Sequence, residues 1–194
     1  VEPQQLGERR VTIVDDSQPL VLVGFQRPAQ TDDADPVFTV LADVLGRGRT
    51  SRLYRALVET EMAVAGQAIP APFGGKYPTQ FLTLGVPTPN TDPADVEAEL
   101  LRVLEDVAEN GITDEELRRA KNRARADFVG GLESNTGLAV RLGVAETLTG
   151  DWRALFRDLD AISAVTAADV QRVAQETFTV NNRTVAVSRR PTEG

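Results

Sequence analysis

Few residues in this 194-residue chain can do chemistry. Histidine and cysteine are both absent. That removes Ser-His-Asp and Cys-His nucleophile systems, ordinary zinc sites, haem and iron–sulfur ligation, and any disulfide. Proton transfer is left to carboxylates, hydroxyls, two tyrosines and two lysines, Lys76 and Lys121. Glu59 and Glu61 stand two apart, so on a helix they point in different directions and make a poor acid–base pair. Asp32, Asp33 and Asp35 precede a helix, whose dipole accounts for them. They lack the glycine and distal glutamate of a calcium loop. No catalytic residue and no metal site is assigned, and the chain alone is predicted to be inactive.

Two basic groups remain. Gly46-Arg47-Gly48-Arg49 precedes a helix start, and Arg47 and Arg49 are candidates for holding an anion there. The loop lacks the Gly-Lys-Ser/Thr of a P-loop and does not follow a strand. A plain helix–helix turn with solvated arginines competes with that reading. Arg118, Arg119, Lys121, Arg123 and Arg125 gather on one helix, between residues of its apolar stripe. They read as a solvated outer face or a docking surface for an acidic partner. No aromatic residues interleave to stack bases, and Lys+Arg (21) minus Asp+Glu (29) is −8, so nucleic acid is excluded as a partner.

These groups sit on a soluble, globular chain. Hydrophobic residues are 41% and charged residues 26%, outside the disordered range. No run approaches the roughly 20 apolar residues of a membrane span. The chain opens at Val1 and its single Met is Met62, so it reads as a piece of a longer protein. No linker divides it, and residues 1–194 are read as one domain.

The elements follow from local pattern. Arg10–Val14 and the apolar run Leu20–Gln26 read as strands, the second central in a sheet or covered on both faces. Pro36–Leu45 is a helix opened by proline. Thr50 or Ser51 caps a second helix through Leu53, Leu57 and Met62. Ala63–Ile69 and Thr79–Val86 are strands, joined through Pro70–Tyr77. A helix starts at Asp92-Pro93 and stops at Asn110-Gly111. Thr113-x-x-Glu116 is a capping box opening the next helix, which Gly130-Gly131 ends or kinks. Gly137–Leu148 and Trp152–Ile162 are helices, Thr166-x-x-Asp169 caps the last one, and Arg183–Val187 is a final strand. Strands followed by a helical block give α+β, with one mixed or antiparallel sheet and helices on one face.

In order and spacing, four of these stretches resemble one half of the inverzincin zinc peptidases, the insulinase and pitrilysin group that includes the mitochondrial processing peptidase. They are Leu45–Leu57 (LGRGRTSRLYRAL), Gly111–Lys121 (GITDEELRRAK), Leu138–Gly150 with Trp152, and Thr166–Ala174 (TAADVQRVA). The family closes two similar halves around a substrate chamber. One half carries H-x-x-E-H and the zinc. A chain without histidine matches the other, non-catalytic half.

The resemblance implies a metallopeptidase half-domain. Its partners would be a zinc-bearing catalytic half, in the same chain or a separate subunit, and a peptide substrate. This half would help to close the chamber and support peptide binding. Many relatives supply an Arg and, seven residues on, a Tyr that stabilise the oxyanion. The matching positions here are Val58 and Ala65, and neither side chain donates a hydrogen bond. Tyr54 and Arg52 are the nearby polar candidates. The loss also fits an alternative, an inert structural or assembly subunit of the same fold. Bacterial relatives often work outside the cytoplasm; the residues themselves fix no compartment.

Overall fold

The computed structural model describes residues 5–191. Strands β1 (Arg9–Val14), β2 (Leu20–Arg27), β3 (Ala63–Ile69), β4 (Thr79–Pro87) and β5 (Arg183–Arg189) form one sheet in the order β1-β5-β2-β4-β3. β1 and β5 are parallel, and the other neighbours are antiparallel. The sheet is therefore mixed, with β2 at its centre and β1 and β3 at its edges.

Six α-helices are described: α1 (Asp35–Gly46), α2 (Pro93–Asn110), α3 (Asp114–Leu132), α4 (Asn135–Thr149), α5 (Ala154–Ala164) and α6 (Ala167–Thr177). α1, α2 and α6 pack on the sheet, while α3 lies over α1 and contacts α4 and α5. Strand alternation decides what they cover. Val21, Val23 and Phe25 of β2 are at most 1% exposed on the helix side, whereas Leu20 and Leu22 on the opposite side stay partly exposed. The unbroken apolar run thus marks a central strand, but the helices cover only one of its faces.

Four phenylalanines join the layers. Phe25 and Phe81 rise from β2 and β4, Phe38 comes from α1, and Phe178 follows α6. Phe178 sits 5.1 Å from Phe25 and 5.5 Å from Phe81 between ring centroids, at tilted angles. Phe25, Phe38 and Phe81 are buried, each contributing roughly 2–3 kcal/mol by burial, and Phe178 is partly buried against them. Arg27 lies at the edge of this cluster, with its guanidinium 4.1 Å from the Phe38 ring centroid. It donates to Asp35 (2.5 Å) and the Pro70 carbonyl (2.9 Å), so its buried charge is paired.

Both capping boxes form as the sequence predicts, at Thr113/Glu116 and Thr166/Asp169. α3 ends at Leu132, one residue past Gly130-Gly131. Two readings are corrected. The helix expected from Ser51 to Met62 is shorter: after its first turn it widens to a π-helical turn over Tyr54–Val58 and stops. The basic residues of α3 do not share one solvated face either. Arg118 and Arg119 pair with Glu115, but Lys121 donates to the Ser163 carbonyl, and Arg123 turns to Asp43, Thr50 and the Arg47 carbonyl.

Candidate functional site

The segment from Gly46 to Ile69 carries the candidate positions Arg52, Tyr54, Val58 and Ala65 and the Arg47–Arg49 loop. It is pressed closely against the sheet. A Cβ on Gly46 would stand 2.2 Å from the Ala68 backbone nitrogen, so the end of α1 meets β3 backbone to backbone. A Cβ on Gly66 would approach Leu57 Cδ1 to 3.1 Å, and both Leu53 and Leu57 are fully buried there. Of the two cap candidates it is Ser51 that engages, accepting from the Tyr54 N–H (3.4 Å) and donating to the Gly48 carbonyl (2.8 Å).

Three departures from regular backbone follow in a short stretch. The Glu59 N–H bonds to the Tyr54 carbonyl (3.0 Å), which closes the π turn. Glu61 is left-handed at φ 60°, the one non-glycine with positive φ among the described residues. The β3–β4 register then slips between Ala63 and Ala65. Thr88 holds the bend, its N–H on the Met62 carbonyl (3.0 Å) and its hydroxyl on the Glu61 carbonyl (3.2 Å). Such irregularities cost energy and gather where a segment must present particular groups.

Val58 ends the π turn and is partly buried. Ala65 follows the register slip, opposite Val86, on the sheet face without helices. The bend thus presents both positions with apolar side chains. Tyr54, partly buried, lies at the start of the same turn.

Arg52 points the other way. Its Nε donates to Glu116 Oε1 (2.9 Å), its Nη2 to Glu116 Oε2 (2.8 Å), and its Nη1 to Asp106 (2.8 Å). Glu116 also accepts from the Thr113 N–H (2.8 Å) in the capping box. Burial raises the Glu116 pKa, but the bonds from Arg52 and Thr113 outweigh it and bring it down to about 2. Sequence pattern shows Glu116 only as a cap; nothing local signals that Arg52 reaches it. These two line a groove of about 630 Å³ in which Arg55, Arg102 and Arg119 face Glu99, Asp106 and Glu115. Charges of both signs are matched there, which suits structure better than recognition.

Arg47 bonds to Asp127 with both terminal nitrogens and lies 3.8 Å from Asp43. Burial raises the Asp43 pKa, and Arg123 and Arg47 oppose that rise. Arg49 is exposed at the loop tip and forms no ion pair with a described residue. Arg47 is thus committed to carboxylates, whereas Arg49 is left exposed. No group of three or more carboxylates able to hold a metal occurs among the described residues. No helix of the described residues is long and apolar enough to cross a membrane.

With this geometry in place, known proteins give a consistent answer. Residues 1–124 match the peptidase M16 inactive domain. The chain belongs to that family. It is 29% identical over 184 residues to the zinc protease PqqE of Helicobacter pylori, a match covering 91% of this chain and 40% of the relative. It is 31% identical over 172 residues to an uncharacterized zinc protease of Mycobacterium tuberculosis, covering 87% and 39%. The chain therefore spans about two fifths of the curated relatives it matches.

Solved structures agree on the fold of this M16 inactive domain. A protease from Helicobacter pylori superposes with TM-score 0.89 at 25% identity, over 96% of this chain and 45% of that one. The inactive peptidase domain of a provisionally named zinc protease from Bordetella parapertussis superposes with TM-score 0.78 at 25% identity, over 94% of this chain and 96% of that one. The α+β sheet with helices on one face is the architecture these relatives share.

Proposed function

We propose that this M16 inactive domain is the non-catalytic half of a zinc metallopeptidase. It docks onto a zinc-bearing half, closes the chamber and supports an extended peptide there. One observation carries the reading: the sheet face without helices is apolar. Register places Val11 and Ile13 of β1, Leu20 and Leu22 of β2, and Leu84 and Val86 of β4 on that side. Val11 and Ile13 are 51% and 52% exposed. A face of this kind asks for a partner.

A second apolar surface supports it. On α4, Val140 and Val144 are 59% and 51% exposed and lie four apart, on one side of the helix. Zinc belongs to the partner half in this reading, because this chain has no imidazole or thiol to hold it. With Val58 and Ala65 at the matching positions, this half contributes walls and surface, and no side-chain donor, to the reacting carbonyl.

The test is reconstitution. A zinc-bearing M16 half is mixed with this chain, and cleavage of an unstructured peptide is followed with and without chelator. Metal-dependent cleavage that rises as this chain is titrated to saturation is expected. If saturating chain leaves cleavage unchanged while the halves still associate, the inert assembly subunit is the correct reading.

A further inference from the structure

The uncovered sheet face is not uniform. One end is the apolar patch described above. At the other end, the strands turn polar and the connection between β3 and β4 overhangs them. Gln26 and Gln80 are cross-strand partners on this side, and Thr184 pairs with both Gly24 and Arg9. Gly24 leaves room for Gln80 to lie along the sheet, with its Oε1 3.2 Å from where a Cβ would stand. The overhanging loop is tied down by the Gln30 N–H on the Gly75 carbonyl (2.8 Å). Between loop and sheet lies a cavity of about 440 Å³.

We propose that this cavity is a subsite for an extended peptide segment bearing a carboxylate side chain. Charge gives the first argument. The chain carries a net −8, yet no Asp or Glu lines this cavity. Its two cations, Arg9 and Lys76, form no ion pair with a described residue. The Arg52 groove, by contrast, balances each sign within itself.

Polar valence gives the second. One buried side-chain oxygen of the lining, Gln5 Oε1, lacks a hydrogen-bond partner among the described residues. Gln5 is 6% exposed, and its amide nitrogen is committed to the Gly7 and Arg183 carbonyls, which leaves the oxygen without a donor. Unpaired buried acceptors are costly, and a main chain supplies donors together with acceptors for the neighbouring glutamine amides.

The third is apolar. Phe73 and Tyr77, both on the overhanging loop, are 76% and 74% exposed. Isolated aromatic rings held in water beside unpaired cations suit a chain that passes between them.

The proposal takes from the section above only that this half supports an extended peptide. Its test needs no partner half, so failure of either leaves the other standing. The ¹⁵N-labelled chain is titrated with acetyl-Ala-Glu-Phe-Glu-Ala-amide, with its Gln and Lys counterparts, and with inorganic phosphate, each to about 2 mM, which detects millimolar affinity. The Glu peptide is expected to shift amides of the 70–80 loop, Gln26 and Thr184, and to bind at least about fivefold more tightly than the Lys peptide. Arg9→Ala with Lys76→Ala should erase that preference. Phe73→Ala with Tyr77→Ala should weaken all three peptides about threefold or more. Equal binding of Glu and Lys peptides, shifts confined to other surfaces, or the same shifts from phosphate alone would each overturn the proposal.

Discussion

Arg52 and Glu116, 64 residues apart in sequence, meet through two parallel hydrogen bonds of 2.9 and 2.8 Å. This fork joins the turn that leads to Val58 and Ala65 to the first turn of α3. The Glu116 side chain is only 7% exposed, so the pair is shielded from water and salt. Removing one partner would leave the other buried and unpaired. Arg52→Ala is therefore expected to lower stability by roughly 3 kcal/mol, measured by urea unfolding. A loss below about 0.5 kcal/mol would show the fork to be dispensable.

The same pair sets an acid limit. The folded pKa of Glu116, about 2, lies below its ordinary value, so the native state favours the ionised form. Its stabilisation is complete above about pH 4.5 and is lost as pH falls toward 2. Asp35, Asp43 and Asp158 are shifted upward, mainly by burial, and their protonation works the other way. Comparison with Glu116→Gln isolates the one carboxylate. Its thermal midpoint should fall less between pH 4.5 and pH 2.5 than that of the unaltered chain; parallel curves would refute the assignment.

Gly46 is required by closeness and not by backbone freedom. The atom nearest to an added methyl, at 2.2 Å, is the backbone nitrogen of Ala68, which cannot swing aside. Gly46→Ala is expected to cost about 2–3 kcal/mol, read as a lower urea midpoint with an unchanged slope. Gly143, with nothing within 4 Å of its added carbon, is the control and should tolerate alanine.

Val58 and Ala65 are partly exposed, so larger polar side chains have a way out to solvent. Val58→Arg with Ala65→Tyr should leave the isolated chain folded within about 1 kcal/mol. Mixed with a zinc-bearing half, the double variant should raise kcat more than it lowers KM, because the restored donors would act on the developing oxyanion. A change confined to KM would count against that role for these positions.

The apolar sheet face makes a separate prediction. Leu22→Asp with Leu84→Asp places two charges on the side away from the helices, where register puts both residues. The chain should still fold, and its association with a zinc-bearing half should weaken at least about tenfold by sedimentation or calorimetry. Undiminished association would move the docking surface elsewhere, with the exposed Val140–Val144 side of α4 next in line.

What could be read from the residues alone was whatever depends on near neighbours or on composition. The missing imidazoles and thiols remove ordinary zinc sites and Ser-His-Asp or Cys-His catalysis in any conformation. Thr113 and Glu116, or Thr166 and Asp169, need only helical spacing to form their caps. The order of strands and helices, and hence the α+β class, came from the same short-range patterns. Tertiary structure decided the rest, because each case depends on which distant segment arrives. Leu20–Arg27 is apolar at nearly every position, and only the packing of α1, α2 and α6 shows which face stays bare. Ser51–Met62 has a helical pattern, yet its docking on Gly66 and its tie to Thr88 stop it as a π turn. Arg123 has the same local surroundings as Arg118, but one turns inward to Asp43 and the other pairs along its own helix. Side-chain valence is a local property; its partner is chosen by the fold.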